Sequence, residues 1–517
     1  MNKLQLILKL KQFPVLLSIG SSLTAMILNY GITLLLTPYI TSTLGTEAYG
    51  FVTLAKTVAN YGIIVTSCFN AYASRYVAVS YHEGNLERAN RYYSSVLLAN
   101  IALLLVFAVG GFIFVQHLTA LFAIPETLLR DVKLLFFLDI LNCVGMTVGA
   151  TFSISACVKD KIYLLGFTKI VIYSAEAVIL VLLFALFAPK VYYVGIGLLG
   201  STVLGNCLYF GLKQKLSPEL RCRPAEFSWR AVRELLGRGF WNSLNQVGNL
   251  LNSGLDLWVT NLLLSGLRLG QLSIVKTVYS IFTVLTDLIK QPYQAKLFAY
   301  YAQGSRDAVL STLKMEMKIM GLVASLLTAG FYTFGEAYFA LWIPGADAGF
   351  LQQLTMLTLV GFCVEALACP LYEVYTLTLK NRLPCIVTVL TGLCNVALMW
   401  ILLHRTNLGL FAVVGTTTVL AYINCGIFTP LYASHCLNCS PKQFYPTIFR
   451  ALFSVLVLTA VTAFLFGHVV VDSWLKLMGF TLLTCCICVP LYLLIMLSAR
   501  ERKYLMCNVF LGKHANM

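Results

Sequence analysis

Two lysines interrupt apolar stretches of the chain at corresponding places. Residues 50–58 read GFVTLAKTV and residues 270–278 read GQLSIVKTV, so Lys56 and Lys276 each lie six positions after a glycine. A charge at the centre of a bilayer costs about 2.5–3.5 kcal/mol to insert, so each lysine needs water or a partner. A lysine near a helix end can instead extend to the membrane surface. We predict that both lysines line a cavity, where their charge can bind an anion.

A row of amides follows in the segment WNSLNQVGNLLNSGLDLW. Its polar residues recur at spacings of three and four, which predicts one face of a single helix. They are Asn242, Asn245, Asn249, Asn252 and Asp256. Side-chain amides carry donors and an acceptor, which suits sugar hydroxyls. The alternative is that these asparagines join membrane helices by hydrogen bonds.

The acid at the end of this row offers Lys276 a counter-charge. Asp256 is expected at a similar depth on the preceding helix, so the two can pair. Asp256 lies 20 positions before Lys276, and the residue 20 positions before Lys56 is Leu36. This predicts that Lys56 has no matching carboxylate. Asn29 on the first apolar segment repeats the amide pattern weakly and is a further cavity candidate.

Carboxylates within apolar segments are candidates for ion coupling, because they can relay a proton or bind a cation. Glu176 shares a helix face with Lys169, seven positions earlier. Asp287 lies three positions before Lys290, a spacing that favours a local ion pair. The candidates are Asp139, Glu176, Asp287, Glu365 and Glu373.

Composition assigns these groups to a membrane protein. The 517 residues are 59% hydrophobic and 11% charged, whereas a soluble domain is about 25% charged. Apolar runs of ~20 residues, enough for a helix to cross a bilayer, recur along the chain and predict an all-α polytopic protein with about 14 transmembrane helices. The predicted spans are 15–40, 49–72, 94–116, 133–156, 163–187, 191–212, 242–264, 271–293, 314–335, 350–377, 384–403, 408–432, 447–470 and 474–498.

Basic residues orient these spans. Lys and Arg concentrate in alternate loops, above all in the segment 213–239, which holds a predicted basic linker with an amphipathic helix. The excess of basic residues on the cytoplasmic side predicts that both termini are cytoplasmic. This pattern, together with attraction to anionic headgroups, accounts for the net charge of +16 and requires no nucleic acid.

An internal repeat underlies the two lysines. Gly84 corresponds to Gly304 at the same offset of 220 positions, and Ile124-Pro125 to Ile343-Pro344 at an offset of 219. We predict two parallel six-helix lobes, with the substrate path between them as in other two-lobed transporters. The predicted domains are an N-terminal lobe (1–212), a cytoplasmic linker (213–241), a C-terminal lobe (242–432), and two extra helices with a cytoplasmic tail (433–517).

Motifs for cofactors and metals are weak. HCLNC at 435–439 contains the spacing of two zinc ligands but no further ligands at suitable distance. We therefore expect no metal and no cofactor. A membrane polysaccharide polymerase or glycosyltransferase, the enzymatic alternative, is disfavoured because the chain has no large outer loop and no Asp-x-Asp motif.

The N-terminal stretch TPYITSTLGTEAYGFVTLAKTVANYGIIVTSCFNAYASRYVA (37–78) resembles the opening of the Wzx-type polysaccharide flippases. These belong to the superfamily of MATE-like multidrug exporters and lipid II flippases. The resemblance rests on Pro38, Leu44-Gly45, Tyr49-Gly50 and Arg75. It implies a MATE-like fold and a cationic cavity, and adds Arg75 to the cavity candidates.

The same resemblance implies a function. A flippase of this kind carries an undecaprenyl-pyrophosphate-linked oligosaccharide, such as an O-antigen or capsule unit, to the outer leaflet of the bacterial inner membrane by alternating access. The lipid bilayer and a polysaccharide polymerase would be its partners. The alternative within the same fold is a cation-coupled multidrug exporter. Lys56 and Lys276 disfavour it, because such exporters bind cationic drugs and favour acidic cavities.

Overall fold

A computed structural model describes the backbone of residues 3–159 and 161–497. It describes their side chains except for those of residues 3–16, 19, 63–72, 238–242, 253, 291 and 295. All regular elements in these ranges are helices, which confirms the all-α prediction. The predicted cytoplasmic tail, residues 498–517, lies outside the described residues.

The chain divides into two compact units, Met1–Ser273 and Ile274–Met517. The first unit contains nine complete helices among the described residues: α1 (Lys3–Thr43), α2 (Thr46–His82), α3 (Leu86–Gln116), α4 (Leu118–Leu121), α5 (Leu129–Val158), α6 (Tyr163–Leu186), α7 (Tyr193–Leu216), α8 (Trp229–Ser253) and α9 (Leu255–Leu263). The start of α10 (Gly266–Ala302) also belongs to it. The predicted division into two six-helix lobes separated by the linker rests on the sequence repeat and stays a prediction.

The second unit continues from Ile274 in α10. Its further helices are α11 (Arg306–Trp342), α12 (Ala348–Leu377), α13 (Arg382–Arg405), α14 (Leu410–Ala421), α15 (Thr429–Cys436), α16 (Tyr445–Phe466) and α17 (Trp474–Met496). A π-helical stretch, Tyr422–Phe428, joins α14 to α15. It ends just before Pro430, which lacks an N–H and whose ring would clash with the carbonyl four residues earlier. A wider helical register at this point accommodates the proline.

Twelve helices of the described part are long and apolar enough to cross a membrane. They coincide with twelve of the predicted spans. The other two predictions, 49–72 and 242–264, lie on α2 and on α8 with α9. The amides of α8 lower its hydropathy, so this helix is less apolar than its neighbours.

Corresponding glycines of the repeat perform the same conformational task. Gly84 and Gly304 follow α2 and α10 with φ of 78° and 71°. Asn85 N–H donates to the carbonyl of Ser80 (3.0 Å), and Ser305 N–H donates likewise to Tyr300 (3.1 Å). This left-handed helix end favours glycine because it has no Cβ.

A second pair of corresponding glycines lies at a close crossing of α2 and α10 within the first unit. A Cβ on Gly50 would be 2.7 Å from the backbone nitrogen of Gly270, and a Cβ on Gly270 would overlap the carbonyl oxygen of Thr46. The two apolar stretches that carry Lys56 and Lys276 therefore begin at one backbone contact. Small residues permit such contacts between membrane helices.

The predicted linker lies within the first unit and is hydrogen-bonded to α2, α3 and the end of α5. Glu219 accepts hydrogen bonds from Tyr81 at the end of α2 and from Lys159 at the end of α5, the latter at 2.9 Å. These bonds hold the pKa of Glu219 at about 2. Ser95 accepts from Ser228 N–H at 3.0 Å. The amphipathic helix predicted here is the first part of α8, which continues into the seventh predicted span.

We expect Gly270→Ala to destabilise the protein, because the overlapped atoms belong to the backbone and cannot rotate away. Overpacking of this kind typically costs about 1–3 kcal/mol, measured as a lower Tm of the full chain in detergent. Gly110→Ala on α3 is the matched control, since a Cβ there meets no heavy atom within 4 Å. Equal Tm values for the two variants would contradict the close crossing.

Candidate functional site

Lys56 lies between two acidic residues in the first unit. It is half-buried on α2 and interacts electrostatically with Asp139 on α5 and Glu176 on α6. Lys56 therefore has acidic neighbours, although the position that corresponds to Asp256 is Leu36 as predicted. The comparison with Leu36 considered only the helix before α2. Both acids lie on helices that come later in the chain, α5 and α6, so the sequence comparison did not find them.

Asp139 is the most enclosed of the three. It is 1% exposed, and neither carboxylate oxygen has a hydrogen-bond partner among the residues that the structure describes. Gly195 on α7 lies against this part of α5, since a Cβ there would be 2.8 Å from the Leu138 Cβ and in ordinary contact, at 3.5 Å, with Asp139 Oδ1. A buried carboxylate without hydrogen bonds is costly unless it is compensated or protonated. Lys56 on α2 is a positive charge that interacts with this carboxylate.

The helix that carries the asparagine row is interrupted at a single residue ahead of Asp256, although Gly254 keeps φ of −104° and ψ of −35°. α8 ends at Ser253 and α9 begins at Leu255, so Gly254 separates the asparagines from the acid. The Tyr61 hydroxyl on α2 donates to the Gly254 carbonyl at 3.0 Å. Asp256 is buried, and its Oδ1 accepts from the Leu257 N–H at 2.8 Å. The sequence pattern missed this interruption because a glycine within a helical period does not by itself predict a break.

The other cavity candidates differ in exposure. Asn249 is exposed, whereas Asn245 and Asn252 are half-buried. The Asn252 amide donates to the Gly248 carbonyl at 2.8 Å, within its own helix. Asn29 on α1 is half-buried and Arg75 on α2 is exposed. Asn242 lies on α8, with its side chain outside the described residues.

In the second unit a different pairing replaces the predicted local one. Lys290 on α10 forms a salt bridge with Glu373 on α12 at 2.7 Å, although Asp287 lies one turn away. Gln294 donates to the same carboxylate at 2.8 Å. Glu373 is buried and Asp287 is exposed. The pairing with a distant residue follows from the packing of α10 against α12, which sequence spacing does not report.

The remaining candidates of this unit lie on α10 and α12. Glu365 is half-buried and accepts a hydrogen bond from Tyr279. Lys276 is half-buried. Glu316 on α11, which no motif of the sequence indicated, is fully buried next to Lys290 and Glu373. The sequence feature that could have identified Glu316 is a single acid inside an apolar helix.

Comparison with known proteins is consistent with this architecture. A family model described as "Polysaccharide biosynthesis protein" matches residues 15–298. The uncharacterized membrane protein EpsK of Bacillus subtilis (strain 168) is 27% identical over 497 residues, which are 96% of this chain and 97% of the relative.

Solved structures of transporters share the fold. The lipid II flippase MurJ in an inward closed conformation superposes with a TM-score of 0.68 at 15% identity, covering 93% of this chain and 99% of that one. An inward-facing multidrug resistance MATE family transporter of the MOP superfamily has a TM-score of 0.68 at 14% identity, covering 80% and 96%. These likenesses confirm the predicted MATE-like fold of a multi-pass membrane protein.

The group around Lys56 can be tested by a double-mutant cycle. We expect Lys56→Gln to lower the Tm in detergent, because it leaves two acids without a positive charge. Asp139→Asn in the Lys56→Gln background should recover part of the loss, with a coupling within the range of about 0.5–3 kcal/mol found for interacting residues.

The control cycle uses Lys476→Gln and Asp472→Asn, an exposed i,i+4 pair at 2.7 Å. Exposed pairs of this kind couple weakly. Additive effects of the Lys56 and Asp139 substitutions would show that the two side chains do not interact.

Proposed function

The chain belongs to the family of polysaccharide biosynthesis proteins, and from this premise we propose that it is a flippase for lipid-linked oligosaccharides. Its substrate would be an undecaprenyl-pyrophosphate-linked oligosaccharide, carried from the inner to the outer leaflet of the bacterial cytoplasmic membrane. The family match, which spans residues 15–298 and so covers the first unit from residue 15 onward and the start of the second, is the observation that carries this proposal.

The chemistry of the substrate suits the lysines. A pyrophosphate must leave water to enter a low-dielectric path, and charge-assisted hydrogen bonds from ammonium groups compensate that loss. Lys56 and Lys276, at corresponding positions of the repeat, are the proposed cations. Since the two apolar stretches begin at the Gly50–Gly270 contact, both lysines follow that contact by six residues.

The net charge of the group formed by Lys56, Asp139 and Glu176 depends on whether the two acids are protonated. With Asp139 and Glu176 both ionised, the group of three carries a net charge of −1 and repels a pyrophosphate. Protonation of both acids leaves +1, which attracts it. We propose that Lys56 exchanges its carboxylate partners for the substrate as these acids are protonated, with the buried Asp139 as the acid that most favours the neutral form.

The glycan would contact amides. Asn249 is exposed, and Asn245 and Asn252 lie on the same helix. Amides donate to and accept from sugar hydroxyls, whereas the lipid tail would stay in the bilayer. Asp256 and Asn29 would border this region. Alternating access between the two leaflets would complete the cycle without a covalent step, so the protein would not be an enzyme.

The cellular setting follows from this role. The protein would lie in the bacterial inner membrane with both termini cytoplasmic, as its basic loops predict. A polysaccharide polymerase that consumes the translocated unit is the proposed partner on the outer side.

A cation-coupled multidrug exporter is the second candidate, and one observation favours it. Two carboxylates surround Lys56, and acidic groups in an apolar site suit cationic drugs. The family match favours the flippase, because it names polysaccharide biosynthesis.

A deletion strain separates the two functions. We expect loss of surface polysaccharide and accumulation of undecaprenyl-linked oligosaccharide in the cytoplasmic leaflet, with unchanged sensitivity to cationic dyes. Intact polysaccharide with raised dye sensitivity would instead establish the exporter.

Complementation of that strain tests the lysine. We expect Lys56→Gln to restore at most a tenth of the wild-type surface polysaccharide, because loss of a buried charge-assisted contact of about 1.5–3 kcal/mol lowers a rate roughly tenfold or more. Lys56→Arg should restore more, since it keeps the charge. The exposed Lys476→Gln is the control, and expression is matched by immunoblot. Full restoration by Lys56→Gln would remove Lys56 from the substrate path.

A further inference from the structure

Glu316 is a fully buried carboxyl group without a hydrogen bond. Its side chain lies on α11 at 0% exposure, and both carboxylate oxygens lack a partner among the described residues. An ionised carboxylate cannot persist in that state without a nearby positive charge. The group must therefore be neutral or must share a cation.

The available cation is Lys290, which is already engaged. Its ammonium contacts Glu373 at 2.7 Å, and Glu373 also accepts from Gln294 at 2.8 Å. Glu316 interacts electrostatically with both members of this pair. Two buried glutamates thus lie near one lysine, whose single positive charge can neutralise only one of two negative charges.

Other titratable groups face this site from the neighbouring helices. α10 contributes Tyr293, and α12 contributes Cys369. From α17, the Tyr492 hydroxyl donates to the Lys318 carbonyl of α11 at 2.6 Å. α16 contributes Tyr445 at the edge of the same apolar cluster. On α11 itself, Lys314 donates to Gln443. Lys290 is thus the cation that interacts with both glutamates.

We propose that Glu316, Lys290 and Glu373 form a proton-binding site in the second unit. In one state Glu316 carries the proton, and the Lys290–Glu373 ion pair leaves the group neutral. In the other state Glu316 has released that proton, and its carboxylate shares the ammonium of Lys290 with Glu373. The second state carries one additional negative charge, so it is favoured when water reaches the site.

Exposure decreases from Asp287 through Lys290 to Glu316. Asp287 is exposed, Lys290 one turn later is half-buried, and Glu316 is fully buried. Asp287 also interacts electrostatically with Lys290. On the predicted orientation, all three positions lie towards the cytoplasmic ends of their helices. The proton would therefore exchange with the cytoplasm.

The first copy of the repeat has no such site. The positions 220 residues before Lys290, Glu316 and Glu373 are Asn70, Val96 and Ser153. The site thus belongs to the second unit alone. It deepens the proposed function, on which its role in transport rests, because one proton would be exchanged at this site in each cycle.

The proton can be detected without any substrate. We would record infrared difference spectra of the purified full chain in detergent between acidic and alkaline pH and compare the protonated-carboxyl bands. Glu316→Gln should lose one such band that the wild type shows. Glu336→Gln, an exposed glutamate on the same helix, is the matched control and should retain it.

Glu373→Gln provides an independent signature. It frees Lys290 to pair with Glu316, so it should remove the same band at neutral pH while leaving Glu316 in place. A wild type whose bands match those of Glu316→Gln overturns the proposal. So does a Glu373→Gln variant that retains the band. Dependence of the band on sodium rather than on pH would also overturn it.

The transport role has its own measurement. In proteoliposomes that hold undecaprenyl-pyrophosphate-linked oligosaccharide, an imposed pH gradient should accelerate transfer between leaflets by the wild type, and Glu316→Gln should lose that acceleration. Glu316→Asp should keep it. If neither the wild type nor any variant transfers the lipid while the infrared band behaves as expected, the proposed substrate is wrong and the proton site is retained. Acceleration retained by Glu316→Gln would exclude this site from coupling.

Discussion

A charge placed in an apolar helix bundle must be compensated within the bundle, and this requirement determines which helices pack together at both polar sites. In the first unit, Lys56 on α2 brings acids from α5 and α6 to one place. In the second unit, Lys290 on α10 lies beside acids from α11 and α12. Each site therefore places one lysine near two carboxyl groups. Because the interior cannot solvate a surplus negative charge, both of our proposals assign a bound proton to such an arrangement.

Small residues allow the helices to approach closely enough for this compensation. A Cβ on Gly195 of α7 would be 2.8 Å from the Cβ of Leu138, the residue before Asp139, and Asn206 on α7 donates to the Gly145 carbonyl of α5 at 2.9 Å. The Gly50–Gly270 contact fixes α2 against the start of α10. Without a hydrophobic force between helices in lipid, such close backbone contacts and interhelical hydrogen bonds supply the specificity of packing. The charges of the site and the glycines around it thus depend on one another.

The sequence predicted the elements well and the contacts poorly, for a physical reason. Long apolar runs and helix-ending glycines are local features of the sequence. The spans, the all-α fold and the equivalent turns at Gly84 and Gly304 could therefore be predicted. Which acid meets which lysine depends on how helices pack side by side, and no local period contains that information. The rule of i,i+3 spacing therefore paired Lys290 with Asp287, whereas the fold pairs it with Glu373. The break at Gly254 was missed because the Tyr61 hydroxyl that binds its carbonyl comes from a distant helix.

The repeat conserves the position of one lysine but not the acids around it. The offset of 220 that relates Lys56 to Lys276 relates Asp139 to Leu359, so the predicted repeat does not extend to this acid. The acid-rich site of the second unit instead formed around Lys290, fourteen residues further along α10 than Lys276. On the predicted orientation, the first unit would hold its titratable group towards the outer face and the second towards the inner face. Two proton-sensitive groups at opposite depths would let each unit respond to the solution on a different side of the membrane. Such a difference gives direction to an exchange that two identical units could not provide.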